Sequence, residues 1–124
     1  PVVVLPRALA ERPQAIAERI AASALLAQGQ FCTSPGLLAF VDGAGAEAFT
    51  ATLRQRLSAA TGGPTVHPTI RSGYERSLAE VLPLADGVVH ARGGDASATA
   101  VCPALLEARA ATVLRYPRLR SEIY

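Results

Sequence analysis

Apolar residues change their spacing several times along this chain. Residues 1–5, Pro-Val-Val-Val-Leu, form a continuous apolar run of the kind found in a buried strand, central in a parallel sheet. Residues 6–10 read as a connection. From 11 to 28 the period becomes helical: Ile16, Ile20, Ala24 and Ala27 share a stripe, with Ala17, Ala21 and Leu25 beside it. Pro13 suits a first turn, and Glu11 lies where negative charge meets the positive end of the helix dipole. Gly29 is placed to close the far end in a left-handed conformation. Residues 37–41 are a second apolar run, ended by Asp42 and Gly43, and predict a strand. Residues 44–60 are amphipathic, with Phe49, Leu53 and Leu57 inward and Arg54, Gln55 and Arg56 outward. The Thr-Gly-Gly-Pro stretch at 61–64 breaks that helix.

Beyond it, 65–69 read as an irregular link. Residues 70–84 carry Leu78, Val81 and Leu82 at helical spacing, with Tyr74 on the same side, and the helix ends near Pro83. A short strand is predicted at 87–91 and a turn at 92–95. Residues 100–107 and 111–116 look β-like, the first interrupted by Pro103, which favours an edge or a strand start. Residues 117–124 read as an extended tail. Strand, helix, strand, helix is the signature of an α/β layer architecture.

Composition narrows the function classes. The chain has 124 residues, the size of one ordinary domain, and half of them are apolar, mostly Ala, Leu and Val. A net charge of +2, with every basic residue an Arg, gives no clustered footprint for nucleic acid. The nearest cluster, Arg115, Arg118 and Arg120, reads as a solvated edge. No apolar run approaches the ~18 residues of a membrane span, and no signal peptide is recognisable. Cys32 and Cys102 form neither a disulfide framework nor a metal-binding pair, and His67 and His90 stand apart from both. A reducing cytoplasm is the expected compartment. A chain that opens inside a core strand, with no solvated lead-in, is expected to be a piece of a longer one.

The candidate chemistry lies in the loop Gln28-Gly29-Gln30-Phe31-Cys32-Thr33-Ser34-Pro35-Gly36. A thiol reacts as thiolate, and amides of a glycine-bounded loop stabilise negative charge, as do the hydroxyls of Thr33 and Ser34. The same amides can hold an oxyanion on a substrate. Pro35 stiffens the loop. Spacing leaves two readings open: a nucleophile, or a small packed hydrophobe, the commonest fate of a lone Cys. Cys102, beside Pro103, reads as core.

The run Gly29-Gln30-Phe31-Cys32-Thr33-Ser34-Pro35-Gly36-Leu37 resembles the catalytic-cysteine motif of the aldehyde dehydrogenase superfamily. Its Phe-Cys-Thr-Ser-Pro-Gly form is most similar to the branch of α-ketoglutaric semialdehyde and long-chain fatty aldehyde dehydrogenases. Pro1-Val2-Val3-Val4-Leu5 resembles the strand that follows the family's glutamate motif. Ser121-Glu122-Ile123-Tyr124 resembles the start of its Glu-Ile-Phe-Gly-Pro motif, with Tyr in place of Phe.

The resemblance implies a three-layer piece of the family's catalytic domain, with a mostly parallel sheet flanked by helices and the thiol-bearing part spanning 1–124. It implies that Cys32 attacks an aldehyde carbonyl to give a thiohemiacetal, then a thioester that is hydrolysed, with NADP or NAD as hydride acceptor; the branch points to NADP. Covalent catalysis of this kind divides one oxidation into two easier steps. Glu122 matches the glutamate that hydrogen-bonds the nicotinamide ribose. The family's general base (in a Glu-Leu-Gly motif), its asparagine oxyanion donor, its cofactor domain and its oligomerisation strand have no counterpart in these residues. The fragment is therefore expected to be inactive alone, to expose much apolar surface, and to derive from a homo-oligomeric parent. Two alternatives stand beside this: a non-catalytic α/β binding module from a truncated or split gene, and a cofactor-free cysteine hydrolase with His67 or His90 as base.

Overall fold

The structure, a computed structural model, describes residues 1–90, 100–121 and 123. Its first half is built on one crossover. Strand β1 (Val2–Val4) is followed by helices α1 (Pro6–Glu11) and α2 (Pro13–Leu25), then by a 3-10 turn at Leu26–Gly29, and the chain returns as strand β2 (Leu38–Phe40). β1 and β2 are parallel, with Val2 opposite Leu38 and Val4 opposite Phe40. Helix α3 (Ala46–Ser58) then packs against α2.

Small residues make that packing close. Ala17 and Ala21 of α2 are buried, and Phe49 and Leu53 of α3 fill the space they leave, with Val4, Leu9 and Ala46 completing the cluster. Phe49 is fully buried and meets the Phe40 ring edge-on, centroids 5.2 Å apart at 70°. Arg56 of α3 is hydrogen-bonded to Glu18 of α2 at the solvent edge. Gly45, at φ +85, precedes α3 and lies against the Leu9 carbonyl of α1, where no side chain fits.

The second half is α4 (Pro68–Val81) with a short 3-10 extension at Leu82–Leu84, and two antiparallel pairs. β3 (Gly63–Pro64) pairs with β5 (Ala100–Val101), and β4 (Gly87–His90) pairs with β6 (Ala104–Glu107). Helix α5 (Ala110–Arg115) and a 3-10 turn at Pro117–Arg120 follow. The half-buried Tyr74 of α4 donates from its hydroxyl to the Cys102 carbonyl at 2.8 Å, and Arg54 of α3 pairs with Glu107 of β6 at 2.6 Å.

The mixed helix and strand is compatible with the expected α/β class. The arrangement corrects the finer expectation of one mostly parallel sheet. Among the described residues the strands form three separate pairs, one parallel and two antiparallel. β1 is not a central, doubly covered strand either: Val4 is buried but Val3 is 69% exposed. Other expectations change with it. Residues 6–10 are helical, because Pro6 opens α1 just as Pro13 opens α2. Glu11 ends α1 and pairs with Arg7 at 2.7 Å rather than starting α2. Residues 111–116 are mostly helix and 117–120 are a 3-10 turn, not strand and tail. The turn expected at 92–95 lies outside the described residues.

Candidate active-site loop

The Cys32 loop begins where α2 fails to continue. Leu26 turns to an extended conformation, and Ala27, Gln28 and Gly29 follow at φ +48, +59 and +75. Left-handed backbone is natural for Gly29, whereas for Ala27 and Gln28 it carries strain that surrounding contacts must hold. The left-handed Gly29 is as the sequence suggested. That two side-chain-bearing residues share the conformation was not legible from it.

Those holding contacts come from the β3 region. The Gln30 carboxamide nitrogen donates to the Ala27 carbonyl at 2.9 Å and to the Pro64 carbonyl at 3.3 Å. Its carboxamide oxygen accepts from the Val66 amide at 2.8 Å. The Gln28 side chain lies directly over the α-carbon of Gly63, where a methyl group would meet its amide nitrogen and carbons. At the other end of the loop the Val2 amide donates to the Leu37 carbonyl at 2.8 Å, which ties the exit to β1. Local sequence assigns no role to Gln30 and marks 61–64 only as a helix breaker. The available signal was the pair of glutamines flanking Gly29.

Between these anchors Cys32 is an exposed free thiol. A one-turn bond from the Ser34 amide to the Phe31 carbonyl, 3.0 Å, curls the chain around it. Among the described residues no carbonyl or side chain accepts from the Cys32 amide. No imidazole or carboxylate hydrogen-bonds the thiol there.

His67 is committed elsewhere. It caps α4, its Nδ1 lying 2.9 Å from the Thr69 hydroxyl and accepting from the Thr69 amide at 3.3 Å. His90 lies in β4 opposite Ala104. Glu122 lies outside the described residues. Cys102, expected in the core, is partly exposed between β5 and β6. Among the described residues two groups titrate away from their ordinary range. Burial, with Cys102 nearby, pushes the Tyr74 phenol up to about 12. Hydrogen bonds from the Arg109 amide and the Thr112 hydroxyl hold Asp86 below the usual carboxylate range. Neither belongs to the loop.

The described clefts flank β1. One, about 340 Å³, is lined by Val2 to Leu5, Ala8, Ile16, Arg19 and Ile20; the other, about 220 Å³, lies over Pro6 and Phe40. Both are lined mainly by apolar side chains, with Arg19 the polar one in the first. Among the described residues there is no group of His, Cys, Asp and Glu fit to hold a metal, and no helix is long and apolar enough to cross a membrane.

An α/β segment presenting one cysteine in a glycine-bounded loop defines a class of protein with an exposed thiol between a helix and a strand. Comparison narrows the class. Along its whole length the chain is 33% identical, over 126 aligned residues, to Alpha-ketoglutaric semialdehyde dehydrogenase 2 of Azospirillum brasilense, and it spans 24% of that protein's length. A match that takes in all of this chain and a minor part of that enzyme is consistent with a fragment of the aldehyde dehydrogenase superfamily. No family model matches the chain.

Proposed function

We propose that these 124 residues are part of the thiol-bearing catalytic domain of an NADP- or NAD-dependent aldehyde dehydrogenase, with Cys32 as its nucleophile. The observation that carries this reading is the conjunction of the full-length similarity with an exposed Cys32 on an anchored loop. The thiolate adds to an aldehyde carbonyl, forming a carbon–sulfur bond, and the carbonyl oxygen becomes an oxyanion within reach of the Cys32 amide. In the whole enzyme NADP or NAD supplies the hydride acceptor that turns the thiohemiacetal into a thioester, and Glu122 is the proposed ribose contact. Among the described residues no imidazole or carboxylate is hydrogen-bonded to the sulfur, so none is held there to activate the water that would release the acyl group.

The 124-residue chain therefore has half of a catalytic cycle. With an activated ester such as p-nitrophenyl acetate, the Cys32 thiolate displaces nitrophenolate and keeps the acetyl group as a thioester. The expected result is one burst of nitrophenolate per chain with negligible turnover, abolished by Cys32→Ala. Sustained turnover lost on substitution of His67 or His90 would favour a cysteine hydrolase instead. The exposed Val3, Leu5 and Val41 around β1 favour a second reading, a non-catalytic module that binds a protein partner. That reading gains if no burst occurs.

A further inference from the structure

The left-handed residues before Cys32 are held by a clamp that neither the similarity nor the motif assigns. We propose that Gln30 is a positioning residue for Cys32, acting by fastening the loop to the 63–66 segment, with Gly63 as the surface on which the loop is seated. This rests on the nucleophile reading above.

Two independent contacts support it. The first is the Gln30 carboxamide, which makes three bonds from one side chain. Two of them, to the Pro64 carbonyl and from the Val66 amide, cross more than thirty positions of sequence to a different part of the fold. Val66 itself is 84% exposed. The second is the Gln28 side chain pressed on the Gly63 α-carbon, so that a larger residue at 63 would push that side chain aside. Both fall within four residues upstream of the sulfur. Ala27 and Gln28 adopt a backbone conformation they do not favour, and these bonds make it the stable one. Released from 63–66, the loop relaxes toward right-handed backbone and the sulfur moves relative to its own amide. A displacement near 1 Å at a reacting group costs up to about a hundredfold in rate.

The experiment compares Gln30→Ala, Gln30→Glu and Gly63→Ala with the unsubstituted chain. Glu keeps the acceptor for the Val66 amide but loses the donor to the Ala27 and Pro64 carbonyls and sets a carboxylate oxygen against them. Two readouts are taken: amide hydrogen exchange at Val66, and the single-turnover acylation of Cys32 by p-nitrophenyl acetate, resolved into its saturating rate and its half-saturation concentration. Gln30→Ala is expected to speed Val66 exchange and to lower the saturating acylation rate by roughly 10- to 100-fold, with half-saturation nearly unchanged. Gln30→Glu is expected to keep Val66 partly protected while the acylation rate stays low, because the carboxylate is repelled by the Ala27 and Pro64 carbonyls. Gly63→Ala is expected to slow acylation while α2 and α3 stay folded by circular dichroism. Wild-type acylation rate in Gln30→Ala, or Val66 exchange that is unmoved, overturns the positioning role while leaving Cys32 as nucleophile. Absence of any acylation in the unsubstituted chain overturns the nucleophile reading and the positioning role with it.

Discussion

Replacing Gly45 by alanine adds one methyl group, and the structure says it should be among the most damaging small substitutions in the chain. Two costs combine. Gly45 sits at φ +85, where an L-residue is disfavoured by about 1–2 kcal/mol. The new Cβ would also overlap the Leu9 carbonyl oxygen, 2.9 Å from its carbon and 3.3 Å from the Ala10 α-carbon. These are backbone atoms of α1, so the helix as a whole must retreat, and overpacking of that kind costs about 1–3 kcal/mol. The expected loss is about 2–5 kcal/mol, a large share of the roughly 5–15 kcal/mol that holds a domain folded. Gly43, two positions earlier, is the internal control. A Cβ added there meets nothing within 4 Å, so Gly43→Ala is expected to be neutral or stabilising by up to about 1 kcal/mol. Urea unfolding of the three proteins, followed by circular dichroism, gives both differences. If Gly45→Ala shifts the midpoint no more than Gly43→Ala does, the close approach of α1 to α3 is wrong.

Two further expectations concern the core and its pH limits. Phe49→Ala removes a fully buried ring and its edge contact with Phe40; a loss of about 3–5 kcal/mol by urea unfolding is expected, and a loss below about 1 kcal/mol would contradict the burial. Tyr74 ionises near 10 when unfolded and near about 12 when folded, so the folded form holds its proton more tightly. The stability this contributes, of order 2–3 kcal/mol, is whole below pH about 10 and is lost as pH rises toward about 12. Denaturation midpoints across that range should fall more steeply for the unsubstituted chain than for Tyr74→Phe, and equal slopes would rule the linkage out.

How much of this was legible beforehand divides by the distance over which each signal acts. The stripe of Phe49, Leu53 and Leu57 is local, periodic and dominated by burial, and all three are buried as expected. The interruption at Pro103 separates β5 from β6 for an equally local reason: proline cannot donate to the ladder. Proline was also where reading failed. Pro6, Pro13, Pro68 and Pro117 each stand at the start of a helical turn. Their missing N–H and fixed φ fit that position, yet Pro6 and Pro117 had been read as connection and tail. Residues 110–115 carry Thr112 and Val113, which pointed to strand. Asp86, far upstream, accepts from the Arg109 amide and the Thr112 hydroxyl and so anchors the first turn of α5. No window of local sequence contains that carboxylate.

The candidate site divides in the same way. Cys32, Gly29 and Pro35 could be singled out because thiol chemistry and turn chemistry are written in residue type. The clamp could not, since Gln30 meets Pro64 and Val66 only once β3 and the start of α4 are folded against the loop. Val3, Leu5 and Val41 are exposed apolar residues beside β1, in keeping with the exposed apolar surface expected of a fragment.

The central claim is that Cys32, rather than any other group, is the attacking atom. Peptide mapping by mass spectrometry after brief exposure to p-nitrophenyl acetate at neutral pH tests it most directly. The account predicts one acetyl group per chain, carried on the peptide containing Cys32, persisting because the thioester has no base beside it to hydrolyse it, and absent from Cys32→Ala. An unlabelled Cys32, or label shared equally with the half-buried Cys102, would contradict it.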